Sequence, residues 1–237
     1  TGVCTDPGAP VTTKCGNIDG NETWNLAMSP VKITCDVTVN GSLTIMPGVI
    51  VEFQDPDDDL YINMGANFTA NGDKDNPIIF TSDGEMAVGS WGGIYFNGDF
   101  SSGQISYAEF RHGGKFTNSR AGGFPIKVNK KSPTISNIKL ISNRRNAVGL
   151  ELGNYSSNIR LSVVGVPYYI EANYLLNQED LIIGAGSTLT IDPGVIVKLH
   201  SDEVYSGHGA DIYINGRIVA NGTAEMPIYF TSFRNDM

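Results

Sequence analysis

Hydrophobic and polar positions alternate with a period of two along short stretches of this chain, and turn dipeptides bound the stretches. In "VKITCDVTV" the residues Val31, Ile33, Cys35, Val37 and Val39 share one face. In "LTIMPGVIVEF" Leu43 and Ile45 precede a Pro47-Gly48 corner, and Val49, Val51 and Phe53 follow it. Successive side chains of a strand point to opposite faces, so these sets point inward, while Thr44 and Glu52 point to solvent. Asn40-Gly41, Pro47-Gly48 and Asn71-Gly72 mark corners, because Gly and Asn tolerate positive φ and Pro presets its own. No stretch beyond about ten residues carries a 3.6-residue period, and Val, Ile, Thr, Tyr and Phe fill the segments between corners. The pattern predicts an all-β chain of strands about five residues long.

One block of the pattern occurs twice. "LTIMPGVIVEF" begins at Leu43 and "LTIDPGVIVKL" at Leu189; the first continues through "DLYINMGANFTANGDKDNPIIFTS" to Ser82 and the second through "DIYINGRIVANGTAEMPIYFTS" to Ser232. Leu189, Ile191, Val195, Val197 and Leu199 repeat the inward set, with Lys198 outward, and Pro193-Gly194, Asn215-Gly216 and Asn221-Gly222 repeat corners. A β-sandwich spaces its hairpins by 8 to 12 residues and does not copy a whole block at long range, so the copy favours a solenoid. Coils of roughly 24 residues would give about nine or ten of them and a rod on the order of 45 Å long. The organisation expected is an irregular N-terminal cap over residues 1–30 and a β-helix over 31–237, duplicated at about 31–96 and 175–237. After "FTS" the first copy runs on through "DGEMAVGSWGGIYF" and the second ends in "FRNDM", so the C-terminal end is expected to be open, with unpaired backbone groups.

The succession "GSLTIMPGVIVEF", "FTANGDKDNPIIFTS", "WGGIYFNG", "ISYAEFRHGG" and "SPTISNIKLISN...NAVGLEL" resembles single-stranded right-handed parallel β-helix domains of the pectate-lyase-like superfold, found in bacterial and archaeal surface proteins. The resemblance covers roughly residues 30 to 237. It implies an extracellular stalk, adhesin, surface-layer or filament component, or, in some branches, a polysaccharide lyase or glycosidase. Such a fold does not choose among these by itself.

Composition narrows the classes. A hydrophobic content of 41% in 237 residues supports a real core, and a net charge of −9 argues against a general nucleic-acid binder, which needs a basic surface. No apolar run is long enough for a membrane span, and "TGVCTDPGAP" has neither the basic start nor the apolar stretch of a signal peptide. Cys4, Cys15 and Cys35 form no C-x-x-C pair, so metal and dithiol redox chemistry are poor readings. Cys35 sits on an inward face and is expected to be a core thiol, leaving Cys4 and Cys15 to form a disulfide that staples the cap in an oxidising compartment. Sequons at Asn21, Asn40, Asn67, Asn154 and Asn221, against roughly three expected by chance, fit a secreted chain.

Charge is segregated along the chain. Residues 1–110 carry 15 acids and 3 bases, residues 111–150 carry 9 bases and no acid, and residues 151–237 carry 10 acids and 4 bases. The basic band is Arg111, Lys115, Arg120, Lys127, Lys130, Lys131, Lys139, Arg144 and Arg145, and in a solenoid it would lie between two acidic thirds. It is a candidate surface for another copy of the chain, for cell-surface components or for an acidic polysaccharide. Asp55, Asp57, Asp58 and Asp59 are candidate calcium ligands, although the EF-hand glycine and distal Glu are missing. Gly207-His208-Gly209 is similar to a motif of β-helical polygalacturonases, but the Asp pair and Arg-Ile-Lys of that family are absent. Gly113-Gly114-Lys115 is not a P-loop, and His112 and His200 have no carboxylate partner in sequence.

No catalytic constellation is legible, and the expectation is a non-enzymatic extracellular structural or adhesive module that assembles through its ends or its charged band, with no cofactor unless calcium. The alternative is a polysaccharide lyase or carbohydrate-binding β-helix. A lyase would take its base from Lys127, Lys130, Lys131, Arg144 or Arg145.

Overall fold

The structure, a computed structural model, describes residues 11–84, 87–98, 100–116, 121–171, 180–200 and 209–233. Every strand pairing among them is parallel, as a chain that winds in one direction requires. None of the described helices is long and apolar enough to cross a membrane.

β1 (Thr12–Ile18) and β2 (Asn21–Trp24) make the first coil, and β3 (Val31–Val39) and β4 (Ser42–Ile45) the second. β3 turns a corner and serves two walls at once: Val31 to Ile33 pair with β5 (Ile50–Phe53), and Val37 to Val39 pair with β6 (Leu60–Ile62). The next coils are β5, β6 and β7 (Asn67–Asn71), then β8 (Ile78–Ser82), β9 (Ile94–Phe96) and β10 (Ser102–Ser106), then β11 (Ala108–Arg111), β12 (Ile126–Val128) and β13 (Thr134–Ser136). Wall one is β3-β5-β8-β11 and ends with β14 (Lys139–Ile141); wall three is β2-β4-β7-β10-β13. Wall two runs the length of the described chain as β1, β3, β6, β9, β12, β15 (Val148–Leu150), β18 (Tyr168–Ile170), β21 (Ile196–Leu199) and β24 (Tyr229–Ser232). Those nine rungs agree with the coil number expected from sequence.

The coil that begins with β14 has one strand more than its predecessors, because β16 (Gly153–Tyr155) and β17 (Ile159–Leu161) follow β15. They start two new lines, β16-β19-β22 and β17-β20-β23, where β19 is Asp180–Ile183, β20 Thr188–Ile191, β22 Asp211–Ile214 and β23 Arg217–Ala220. The extra strand advances the second copy by one wall. β5 of the first copy lies on wall one, whereas its counterpart β21 lies on wall two between β18 and β24.

The inward positions are those the alternation predicts: Leu43, Ile45, Val49, Val51 and Phe53 are buried, as are Leu189, Ile191, Val195 and Val197. In parallel register, like positions stack directly, so on wall two Val39, Ile62, Phe96, Val128, Leu150, Ile170 and Leu199 form one column. Phe53 stacks on Trp91 at 4.2 Å between ring centroids, and Phe80 on Phe110 at 4.8 Å.

Two corner types have different causes. Gly48 and Gly194, after proline, have φ of +80° and +85°, the left-handed region that glycine tolerates. Gly41 and Gly216, after asparagine, are not left-handed; a Cβ on either would lie 2.2 Å from a carbonyl oxygen of the neighbouring coil, Gly20 O or Ser187 O. Asn40 donates from Nδ2 to Asp19 Oδ1 at 2.7 Å, Asn63 donates to Asn40 Oδ1 at 2.9 Å, and Asn97 to Asn63 Oδ1 at 3.2 Å. This ladder takes steps of 21, 23 and 34 residues, so the coils are less uniform than the repeat length of about 24 expected from sequence.

The N-terminal expectations need two corrections. Regular coil begins at Thr12, inside the segment read as an irregular cap. The disulfide joins Cys15 to Cys35, so Cys15 is not paired with Cys4, which lies outside the described residues. The cause is the corner. Lys14 pairs with Ile33 and Gly16 with Val37, so Cys15 alone faces the three residues from Thr34 to Asp36, and Cys35 sits half-buried at the bend instead of in the core. The bond closes a sequence separation of 20 residues, and replacing both cysteines by serine is expected to cost about 3 kcal/mol by the loop-entropy argument. A guanidinium titration of wild type and the C15S/C35S variant measures this; coincident midpoints would contradict it.

Candidate functional site

Winding turns the segregated charges of the sequence into neighbours. Lys139 Nζ lies 2.9 Å from Glu109 Oε1, 30 residues away, and Arg111 contacts the other oxygen of the same carboxylate. Burial raises the Glu109 pKa, but the hydrogen bonds from Lys139 and Arg111 outweigh it and hold the group below the usual carboxylate range. Lys127 Nζ lies 2.7 Å from Glu151 Oε2, Arg145 contacts Glu171 from 26 residues away, and Lys115 lies 4.0 Å from Asp57. Lys131 Nζ donates to the carbonyls of Phe100 at 2.6 Å and Ser101 at 3.2 Å. Lys130 is exposed at the corner after β12, and Arg120 lies outside the described residues. The band is thus divided among wall one (Arg111, Lys139), wall two (Lys127), the corner beyond it (Lys130, Lys131) and the loops between walls one and two (Lys115, Arg144, Arg145).

Arg144 and Arg145 stand where the chain forms a groove of about 600 Å³, which Tyr169, Lys198 and Phe233 also line. Its floor belongs to the outward column of wall two, where Tyr61, Tyr95, Lys127, Gly149, Tyr169, Lys198 and Thr231 are in register. Gly149 is required there, since a Cβ would meet the Phe124 ring at 2.6 Å. Phe124, Ala147 and Tyr169 form a second small apolar cluster outside the sheet, with Phe233 packed against it.

The side wall of the groove, residues 143–147, is fastened at both ends. Asn143 is buried; its Oδ1 accepts from Gly113 N at 2.8 Å, and its Nδ2 donates to Phe110 O at 2.9 Å and Asn146 Oδ1 at 3.0 Å. The Arg145 guanidinium lies over the rings of Phe124 at 5.1 Å, Tyr169 at 5.2 Å and Phe116 at 5.6 Å, and Arg144 lies over Phe116 at 5.0 Å. Burial pushes the Glu171 carboxyl above its ordinary range, although Arg145, Lys127 and Arg144 all pull the other way. Tyr169 OH is 3.0 Å from His200 Nδ1, and the His200 ring stacks on Phe233 at 5.0 Å. Cationic side chains and the half-buried Phe233 ring therefore meet in one groove, above a Tyr169 ring that is itself buried beneath Arg145. Arg144 and Arg145 were legible as basic-band residues; Tyr169, Glu171, Lys198 and Phe233 were not, because they come from β18 and its end, β21 and the end of β24, on later coils than the arginines.

The other candidates stay local. In the acidic run, Asp55 Oδ1 accepts from Asp57 N and Asp58 Oδ2 from Asp55 N, each at 3.0 Å, and Asp36 Oδ1 accepts from Asp59 N at 2.8 Å. Desolvation lifts the Asp58 pKa to about 6, against the hydrogen bond from Asp55 and with the help of the charges on Asp55, Asp36 and Asp57. Among the described residues no three His, Cys, Asp or Glu side chains gather into a metal-holding group. His112 Nδ1 lies 3.3 Å from Thr81 Oγ1, and His208 is outside the described residues. All five sequon asparagines are exposed, but Asn40 belongs to the asparagine ladder and Asn67 is bonded to Ser42 and Ser102.

A search of the curated proteins and a search of the solved structures found no match. Residues 16–124, from within β1 to the approach to β12, match the family model described as a pectate-lyase like beta helix domain, and the described residues form a parallel β-helix in which wall two continues to β24.

Proposed function

We propose that the chain is a non-enzymatic, extracellular structural and adhesive β-helix module of a cell-surface or filament protein, and that it holds an anionic glycan in the groove on wall two. The observation that carries this reading is the meeting of Arg144, Arg145 and Lys198 with Tyr169 and Phe233. Guanidinium and ammonium groups complement carboxylates or sulfates, and the half-buried Phe233 ring offers an apolar face to a sugar, while buried Tyr169 supports Arg145 from below. The Cys15–Cys35 bond fits an oxidising compartment. Self-association through the whole charged band is the weaker mode, because acids of the same chain already neutralise much of it.

The second reading, a polysaccharide lyase, has one observation in its favour: Arg144 lines the groove and is exposed, as a base approaching a uronate would be. Lys127 and Arg145 are bound to carboxylates, and Lys131 to carbonyls, which leaves them poor bases. The test is calorimetry and product analysis with carboxylated and sulfated oligosaccharides, using wild type and an R144A/K198A variant. Binding without unsaturated product, weakened about tenfold or more by the double substitution, supports the module. Unsaturated product that R144A abolishes establishes the lyase, and absence of binding to every anionic glycan overturns the groove as the adhesive surface.

A further inference from the structure

Among the described residues Glu171 is the one carboxylate in contact with the groove arginines, and four features fix its setting. It follows β18 directly, two residues after Tyr169 in the groove floor. It touches the guanidinium of Arg145, which three aromatic rings hold in place. The side chains of the pair are only 20% exposed each, so solvent does little to screen them. Among the described residues the charged groups acting on it are the cations Arg145, Lys127 and Arg144, and Lys127 is itself engaged by Glu151. Across β21, Lys198 stands in register with Tyr169, and His200 is bonded to the Tyr169 hydroxyl. Ionised Glu171 therefore opposes the positive charge of Arg145 at the groove.

We propose that Glu171 is a charge gate on this groove: ionised, it neutralises Arg145 and weakens the hold on an anionic chain; protonated, it leaves the Arg145 charge to the ligand, so that binding tightens on acidification. The inference rests on the reading of the groove as an anion-binding surface. The Arg145 guanidinium does not need to move, because the stack of Phe116, Phe124 and Tyr169 keeps it at the groove whether or not Glu171 holds it. Burial favours the neutral carboxyl, which places the switch above the range where exposed glutamates titrate. The sign follows: raising the pH through the folded-state pKa of Glu171 adds a negative charge beside the site and lowers affinity.

The test uses a heparin-derived oligosaccharide, whose sulfates keep their charge across the whole range, titrated calorimetrically between pH 5 and pH 8 at fixed ionic strength. Wild type is expected to bind about three- to tenfold more tightly at the acidic end. The E171Q variant, which keeps a hydrogen-bond acceptor for Arg145, is expected to bind at pH 8 as tightly as wild type does at pH 5. An H200N variant, which removes the imidazole bonded to the Tyr169 hydroxyl, is expected to retain the wild-type pH dependence. If E171Q binds but keeps the wild-type pH dependence, or if H200N loses it, Glu171 is not the gate although the groove stands. If neither wild type nor E171Q binds at any pH while both remain folded by circular dichroism, the groove reading fails and the gate with it.

Discussion

Truncating Phe80 to alanine is expected to lower the free energy of unfolding by about 3–5 kcal/mol, as for other fully buried phenylalanines. Phe80 is fully buried and lies in register between Val51 on one rung and Phe110 on the next, with the Phe110 ring stacked on it at 4.8 Å and 13° between planes. The ladders of β5, β8 and β11 hold the rungs apart, so the neighbours cannot close the space the ring leaves. The cavity term therefore adds to the lost transfer energy. Equilibrium denaturation monitored by tryptophan emission suits the measurement, because buried Trp91 stacks on Phe53 in the adjacent column. A loss below about 1 kcal/mol would mean that the stack relaxes and that the columns do not carry stability in the way argued.

The second large effect is expected at Arg145. Its replacement by alanine strands Glu171 in a poorly solvated site and removes the cation from three rings, at a cost of about 3–4 kcal/mol near neutral pH, toward the lower end of the range for broken buried pairs. The cost should shrink at acidic pH. Without Arg145 the Glu171 carboxyl is raised further by burial, so its penalty is absent while it is protonated and grows as the pH climbs through its folded-state pKa. A R145A/E171Q double variant should recover part of the loss at pH 8 and little at pH 5. Thermal melts of the four proteins at both pH values decide this; an R145A cost that is the same at both, with no recovery in the double variant, would show that the rings alone anchor residues 143–147.

Much of the architecture was legible because alternation and turn chemistry are local. Leu43 to Phe53 could be assigned inward and outward from eleven residues, and the assignment holds. What failed involved contacts one coil away. Cys35 belongs to an inward run by parity, but β3 bends there, and only the opposing register of β1 reveals that Cys15 is its partner. Asn40-Gly41 reads as a turn of positive φ, whereas the glycine answers to a carbonyl on the neighbouring coil and the asparagine to Asp19. The basic band looked like a free cationic surface because its compensating acids, Glu151 and Glu171 among them, lie in the next segment of sequence. The groove was hidden for the same reason: Arg145 was visible as a charge, but the rings that fix it come from Phe116, Phe124 and Tyr169.

The extra strand in the coil that begins with β14 makes the duplication a screw operation. Glu52 and Lys198 occupy equivalent places in the two copies, yet they stand on different walls, wall one and wall two. A flat neighbour lying along wall two therefore meets non-equivalent strands of the two copies, β6 of the first and β21 and β24 of the second. Sequence divergence between the copies can proceed independently on each wall, and a single chain can address two partners on different sides with the same buried scaffold.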